Sequence, residues 1–132
     1  MNDLDKIKEY FSRDLFATET SGIVIEDAKP NYAKCSLKVE RRHLNANKTV
    51  MGGALFTLAD FTFAIASNTG DFSTVSLSSN ITYFSPAAEG TTLYAESDCI
   101  KSGRSTCTFV IHITDDKGKK IAMVTCNGFH TN

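Results

Sequence analysis

The chain has 132 residues, 42% of them hydrophobic and 22% charged. This predicts a single globular domain over residues 1–132, with a hydrophobic core that needs no disulfide bonds or metal ions for stability. Its net charge of −1 and pI of about 6.3 argue against nucleic acid or an anionic membrane surface as a partner. The first five residues are acidic and lack the apolar run of a signal peptide, so we expect a cytoplasmic protein.

Cysteines and histidines show no pattern of a metal or redox site. Cys35, Cys99, Cys107 and Cys126 lie in strand-like stretches and form no C-x-x-C pair, so reduced core thiols are the better interpretation. The three histidines are far apart and lack metal-ligand spacing. We therefore expect no metal and no cofactor.

The N-terminal region is predicted to form a short amphipathic helix, with Asn2 or Asp3 as its cap. Its apolar residues recur at helical spacing: Leu4, Ile7, Phe11 and Leu15. Such a helix would lie over one end of the fold and can wall one side of a ligand pocket. Residues 22–28 and 33–39 then form a hairpin around the turn signal at residues 29–31.

Two arginines and a polar loop follow the hairpin. The simplest interpretation of Arg41 and Arg42 is a solvated strand end, although a guanidinium also suits a phosphate group. Asn45 lies in the next loop, where asparagine is common for its turn-forming ability. His43 is expected to be structural rather than catalytic.

Residues 51–69 are predicted to form the central helix. They contain one charged residue, Asp60, and no proline, and the segment is too long for an ordinary strand. Because apolar residues cover every face, we expect the helix to be buried all round, with Asp60 as the only buried charge. A buried carboxylate is costly without a partner or a chemical function. Asp60 also divides the segment into halves too short to span a membrane.

The glycine pair at the start of this helix suggests an anion-binding turn. Gly52 and Gly53 allow close approach to the backbone, and the first turn offers unpaired N–H groups and the positive end of the helix dipole. Gly52 and Asp60 are eight residues apart, about 12 Å along a helix. One small reacting centre therefore cannot easily use both groups of one chain. We infer a dimer in which two antiparallel helices share their sites across a two-fold axis.

The rest of the chain alternates as strands. In the first of them we place Ser76 on a hydroxyl-rich face, opposite a face formed by Val75, Leu77, Ser79, Ile81 and Tyr83. That polar face is either a wet outer surface or a strand passing an active site. Further strands follow at residues 92–100, 107–113 and 120–129, separated by glycine-containing turns. An α+β fold is expected, with a curved antiparallel sheet wrapped around the helix.

These residues also carry a family resemblance that covers nearly the whole chain. The matching residues are Asn45, Met51, Gly52, Gly53, Leu58, Ala59, Asp60, Ser76, Asn80, Ile81, Thr82, Tyr83 and Pro86. In them the chain resembles the hotdog-fold acyl-CoA thioesterases of the phenylacetate-degradation type. Two positions depart from that pattern, since Met51 stands where many members have histidine and Lys48 where many have glycine.

The resemblance implies a hotdog fold and hydrolysis of an acyl-CoA or acyl-carrier thioester by a homodimer or a dimer of dimers. In that interpretation the Gly52 N–H polarises the thioester carbonyl, and Asp60 of the partner subunit acts as general base or nucleophile. Asn45 would hold the carbonyl or the attacking water, and Ser76 would position the water. The candidate substrate-binding residues are Met51, Gly53, Phe56, Arg41 and Arg104.

Other functions remain open at this point. An acyl-thioester dehydratase on the same fold would use a histidine with an acid, and Met51 argues against it. A non-catalytic acyl-CoA sensor would bind the thioester without turnover, and the missing histidine keeps this possible. A purely structural dimer would leave the spacing of Gly52 and Asp60 unexplained.

Overall fold

The computed structural model describes residues 3–132 and shows one six-stranded antiparallel sheet curved around a long helix. The order of the strands in the sheet is β1-β2-β4-β5-β6-β3. The α+β prediction is therefore confirmed. The elements have these bounds: α1 Leu4–Phe11, β1 Val24–Lys29, β2 Tyr32–Lys38, α2 Gly52–Asn68, β3 Thr74–Tyr83, β4 Thr92–Ser102, β5 Thr106–Asp115 and β6 Lys120–His130.

Helix α2 packs one side against the sheet and leaves another side open. Leu58, Phe63 and Ile65 are at most 2% exposed, and the Phe63 ring meets the Phe109 ring edge-on with centroids 5.6 Å apart. The prediction of burial all round was wrong in the single chain, because one layer of sheet covers only one side of a helix. The open side carries a stripe of exposed or half-buried residues, hereafter the open stripe: Gly53, Phe56, Thr57, Asp60 and Ala64.

Helix α1 is shorter than its apolar pattern suggested. Asp3 caps it, accepting a hydrogen bond from the Asp5 N–H at 3.0 Å, whereas the alternative cap Asn2 lies outside the described residues. The helix ends at Phe11, and the next residue, Ser12, donates its hydroxyl to the Glu9 carbonyl at 2.6 Å. Side-chain bonds of this kind compete with helix continuation. Leu15 is therefore outside the helix and 56% exposed, followed by a π-helical turn at Phe16–Thr20.

Strand β3 is an edge strand with a bulge that changes which side chains share a face. Its register against β6 steps from Ser76 opposite Gly128 to Ser78 opposite Asn127, so Leu77 is the extra residue. A bulge shifts the alternation by one residue. The predicted division of β3 into two faces was therefore wrong. Ser76 points to the helix side of the sheet, as do the other β3 residues that pair with buried residues of β6. The other members of this face are Thr74, Ser79, Ile81 and Tyr83.

The cysteines and histidines have structural surroundings. All four cysteines are unpaired thiols in strands, and all but the half-buried Cys99 are buried. His43 accepts a hydrogen bond from the Glu40 N–H at 2.8 Å and donates to the Ser21 carbonyl at 2.7 Å.

Within residues 3–132 no cluster of His, Cys, Asp or Glu could hold a metal ion. None of the helices in this range is long and apolar enough to cross a membrane.

We expect Gly128→Ala to destabilise the fold. A Cβ at Gly128 would lie 2.6 Å from Thr74 Cγ2 and 2.9 Å from Phe63 Cζ, so the core must shift. Overpacking of this kind costs about 1–3 kcal/mol of the free energy of unfolding, which urea denaturation measures. Gly53→Ala is the matched control, because its Cβ meets only Met51 Cε at 4.0 Å. Equal stability of the two variants would contradict the packing described here.

Candidate active site

The first turn of α2 presents unpaired backbone donors. Met51, the N-cap residue, has extended backbone angles and makes no side-chain capping bond. In the described chain, neither the Gly52 N–H nor the Gly53 N–H donates a hydrogen bond. The start of the helix is fixed by a hydrogen bond from the Met51 N–H to the His43 carbonyl at 2.8 Å. Two fixed donors at the positive end of the helix dipole suit a developing oxyanion.

The loop before α2 is organised by Asn45. Its side-chain oxygen accepts hydrogen bonds from the backbone N–H groups of Asn47 at 2.9 Å and Thr49 at 3.2 Å. The side-chain NH₂ group of Asn45 is therefore the part left to meet a ligand. Lys48 adopts a left-handed backbone with φ 62°, a conformation that glycine adopts without strain. The backbone at position 48 therefore suits glycine, and the Lys48 side chain is exposed beside the loop.

A cavity of about 450 Å³ opens at this turn, and we call it the glycine cavity. Its lining is Asn45, Val50, Gly52, Leu55, Tyr83, Phe84, Ser85 and Pro86. The Tyr83 hydroxyl lies 2.7 Å from the place where a Cβ on Gly52 would stand, so a larger residue at position 52 would displace the Tyr83 side chain. Tyr83 is a lining residue that sequence reasoning missed, although its place in the family motif was a usable signal.

Asp60 lies in a second cavity, of about 290 Å³, which we call the carboxylate cavity. Its lining is Asp14, Leu15, Phe16, Ala17, Thr57, Asp60, Phe61 and Ala64. The prediction that Asp60 is buried was wrong, because its side chain belongs to the open stripe and is exposed in the single chain. Asp60 forms no hydrogen bond or ion pair with any described residue. Loss of hydration, and secondly the negative charge of Asp14, raise the pKa of Asp60 above its ordinary value.

Asp14 is a site residue that sequence reasoning missed. It lies between α1 and the π-helical turn, and the helical pattern that runs to Leu15 marked it only as a polar position, so no signal pointed to a site. Behind Asp60, burial and the Asp60 charge raise the pKa of Cys126 to about 11. This thiol is therefore protonated at neutral pH and is not a nucleophile.

Neither cavity is lined by Ser76, Met51, Gly53 or Phe56. Ser76 is on the helix side of β3. Thr74, the first residue of this strand, donates its hydroxyl to the Ser67 carbonyl near the end of α2. Met51, Gly53 and Phe56 are at or beside the open stripe. Within one chain the structure therefore brings Asn45 and Gly52 together but does not add Asp60 or Ser76 to them.

The two arginine positions are exposed and distant from each other along the fold. Arg41 lines a separate surface depression beside Glu89, whereas its neighbour Arg42 is bound to the Glu40 carboxylate at 2.8 Å. Arg104 lies in the turn between β4 and β5, next to Ser105, whose carbonyl accepts the His130 N–H at 2.8 Å. Arg104 is thus near the C-terminal end of α2, and Arg41 near its beginning.

Comparison with known proteins defines the class. A profile of the thioesterase superfamily matches residues 47–122, a range that includes Gly52, Gly53 and Asp60. The chain belongs to this superfamily; it has the hotdog fold and is a thioester hydrolase.

Individual relatives show which members of the superfamily this chain is similar to. Human acyl-coenzyme A thioesterase 13 is 34% identical over 112 residues, covering 83% of this chain and 77% of the relative. The Escherichia coli acyl-coenzyme A thioesterase PaaI is 30% identical over 102 residues, covering 77% of this chain and 73% of the relative. A solved structure of a hypothetical thioesterase with coenzyme A, from Streptococcus pneumoniae TIGR4, superposes with a TM-score of 0.86 at 25% identity. It covers 92% of this chain and 97% of the other.

We expect Asp60→Asn to fold and to be at least as stable as the native chain at pH 7. The raised pKa means that folding disfavours the ionised carboxyl. As the pH rises through 3.8, the ordinary pKa of the carboxyl, the native chain loses stability relative to the variant. The loss is complete once the pH exceeds the raised pKa of Asp60 in the folded chain. Urea unfolding at pH 7 and at about pH 4, at one protein concentration, measures the difference. A variant that fails to fold would make Asp60 mainly structural.

Proposed function

We propose that the protein is an acyl-CoA thioesterase that hydrolyses small-to-medium acyl or aryl thioesters at sites shared between two chains. The observation that carries the proposal is the separation of the two reactive features. Gly52 with its unpaired N–H lines one cavity, and Asp60 lines another on the same rigid helix, about 12 Å away. A general base must come within about 3 Å of the group it activates. A second, antiparallel α2 would bring the partner's Asp60 to each glycine cavity.

Two exposed features support the assembly of two chains. The open stripe of α2 presents small and apolar side chains around Asp60. Strand β3 is an edge strand in which Val75 and Leu77 are 51% and 61% exposed. Unpaired edges with apolar side chains are surfaces that proteins cover. A two-fold axis beside β3 and α2 would cover both at once, giving a homodimer that can pair further into a dimer of dimers.

The chemistry follows from the groups gathered in this way. The Gly52 N–H, aided by the helix dipole, would polarise the thioester carbonyl, and the Asn45 amide and Tyr83 hydroxyl are within the same cavity. Asp60 of the partner subunit would remove a proton from water that attacks the carbonyl carbon. The carbon–sulfur bond would then break, and the proton would pass from Asp60 to the leaving sulfur to release the thiol. In the alternative route the Asp60 carboxylate attacks the carbonyl carbon and the thiolate leaves, which forms an anhydride. Water then hydrolyses the anhydride to the free acid and the Asp60 carboxylate, and one of the water protons passes to the thiolate.

Other side chains would support these steps. Ser76 is on the helix-side face of β3, where its hydroxyl would position the attacking water. Met51, Gly53 and Phe56 would contact the thioester or acyl group where two copies of the open stripe meet. Met51 offers no hydrogen-bond donor, so the backbone N–H groups would carry carbonyl polarisation without a side-chain partner.

Coenzyme A is the proposed carrier. Human and Escherichia coli relatives are named acyl-coenzyme A thioesterases, and the Streptococcus pneumoniae structure contains coenzyme A. Arg41 and Arg104 are exposed and suit phosphate geometry. In a shared site Arg104 would come from the partner, because it lies near the C-terminal end of α2 while the glycine cavity lies at the beginning. We place the reaction in the cytoplasm.

Replacing Gly52 tests the backbone donor. Gly52→Pro removes the N–H at a position that accepts proline, because it is the first helical residue and Met51 before it has φ −70° and ψ 140°. Gly52→Ala is the matched control, since it also places a Cβ against Tyr83 but keeps the N–H. We expect kcat for Gly52→Pro to be about 10²-fold below that of Gly52→Ala, a loss typical of one oxyanion donor. Equal rates would exclude this N–H from carbonyl polarisation.

Mixing the same variant with Asp60→Asn tests the shared site. Each homodimer lacks one group at both sites, whereas a mixed dimer has one site with both groups. Mass spectrometry would establish the exchange, and thiol release would measure the recovered turnover. Exchange without recovery would contradict the shared site.

Thiol release from short, long and aromatic acyl-CoA thioesters tests the activity itself. We expect the native protein to hydrolyse part of this series and Asp60→Asn to lose at least about 10³-fold in kcat, because the proposed base or nucleophile is gone. Calorimetric binding of the same thioesters is the control. Binding without turnover by the native protein would favour the non-catalytic sensor.

A further inference from the structure

Two carboxylates, Asp14 and Asp60, face the carboxylate cavity without partners. The Asp14 backbone is fixed, since its carbonyl accepts hydrogen bonds from the Thr18 N–H at 3.0 Å and the Thr18 hydroxyl at 2.9 Å. Its carboxylate, in contrast, forms no hydrogen bond or ion pair with any residue from 3 to 132. The Asp14 charge is close enough to Asp60 to affect its ionisation. Asp14 is therefore held at this place by its backbone, and its exposed carboxylate has no ion-pair partner among the described residues.

The rest of the cavity wall is mainly apolar. Apart from the two carboxylates and Thr57, its lining consists of Leu15, Phe16, Ala17, Phe61 and Ala64, and it includes no lysine, arginine or histidine. Leu15 and Phe16 are 56% and 65% exposed, so two adjacent large apolar side chains are open to solvent at the cavity. A volume of about 290 Å³ admits roughly ten heavy atoms at about 30 Å³ each. These properties fit a medium-sized, uncharged organic group.

We propose that the carboxylate cavity receives the acyl group of the substrate, and that Asp14 makes the enzyme select uncharged acyl groups against acyl groups carrying a carboxylate. This inference rests on the proposed thioesterase function. The acyl group must extend from the thioester carbon, which lies beside Asp60 during reaction, and this cavity is where the Asp60 side chain emerges. Leu15 and Phe16 would then cover the acyl chain, while a terminal carboxylate would meet the unneutralised charge of Asp14.

The charge of Asp14 adds to a repulsion that Asp60 alone would exert on an anionic substrate. Like charges in a partly desolvated cavity repel more strongly than in bulk water, and no lining cation offsets them here. Asp60 cannot be changed without loss of the proposed chemistry. Asp14 can be replaced, because its side chain forms no hydrogen bond or ion pair with the described residues. It is therefore the position at which the selectivity is tested.

The test compares kcat/KM for two thioesters of coenzyme A with the same six-carbon chain, hexanoyl-CoA and adipoyl-CoA, which carries a terminal carboxylate. We expect the native enzyme to prefer hexanoyl-CoA, and Asp14→Asn to reduce that preference by about tenfold. Asp14→Glu keeps the charge and should keep the preference. Asp5→Asn, which removes an exposed carboxylate of α1 outside the cavity, is the matched control and should leave the ratio unchanged.

The outcomes separate this inference from the proposed function. Turnover of hexanoyl-CoA with an unchanged ratio in Asp14→Asn would overturn the role of Asp14 and leave the thioesterase function standing. An equal fall of the ratio in Asp5→Asn would also overturn it, because net charge alone would then explain the effect. Absence of turnover on every thioester by the native protein would overturn both.

Discussion

The distance between Gly52 and Asp60 is set by a rigid helix, and the rest of the molecule is arranged around that constraint. Seventeen residues of α2 form one uninterrupted helix, so the two groups cannot approach each other within a chain. The sheet supports the helix through side chains such as Leu58 and Phe63, which are at most 2% exposed. Because a single curved layer supports one side only, the side that carries Asp60 stays available for a second chain or a ligand.

This one-sided support also explains the electrostatics of the site. Asp60 has no partner in the described fold, and its pKa is raised by loss of hydration and by Asp14 rather than lowered by an ion pair. A structural carboxylate is normally paired, and an unpaired one beside a second negative charge costs stability. Such a cost is typical of functional sites, where the charge meets its partner only in the reacting complex.

The N-terminal segment contributes more to the site than its helical pattern suggested. Helix α1 ends early, and the chain after it turns back through Asp14, Leu15 and Phe16 to form one wall of the carboxylate cavity. The helix that carries Asp60 and the segment that walls its cavity are thus separate parts of the chain, so the wall can be altered by substitution without altering the helix.

Local patterns in the sequence were enough for the main elements, the central helix, the glycine pair at its start and the lone carboxylate eight residues later. These features depend on neighbours along the chain, through helical periodicity and backbone geometry. Three features depended on the tertiary structure: the bulge at Leu77 that moves Ser76 to the helix side, the open stripe around Asp60, and the approach of Asp14 and Tyr83 to the two cavities. Each is decided by contacts between segments distant in sequence. Periodicity reports only that a residue is apolar or polar, and cannot report which distant segment covers it.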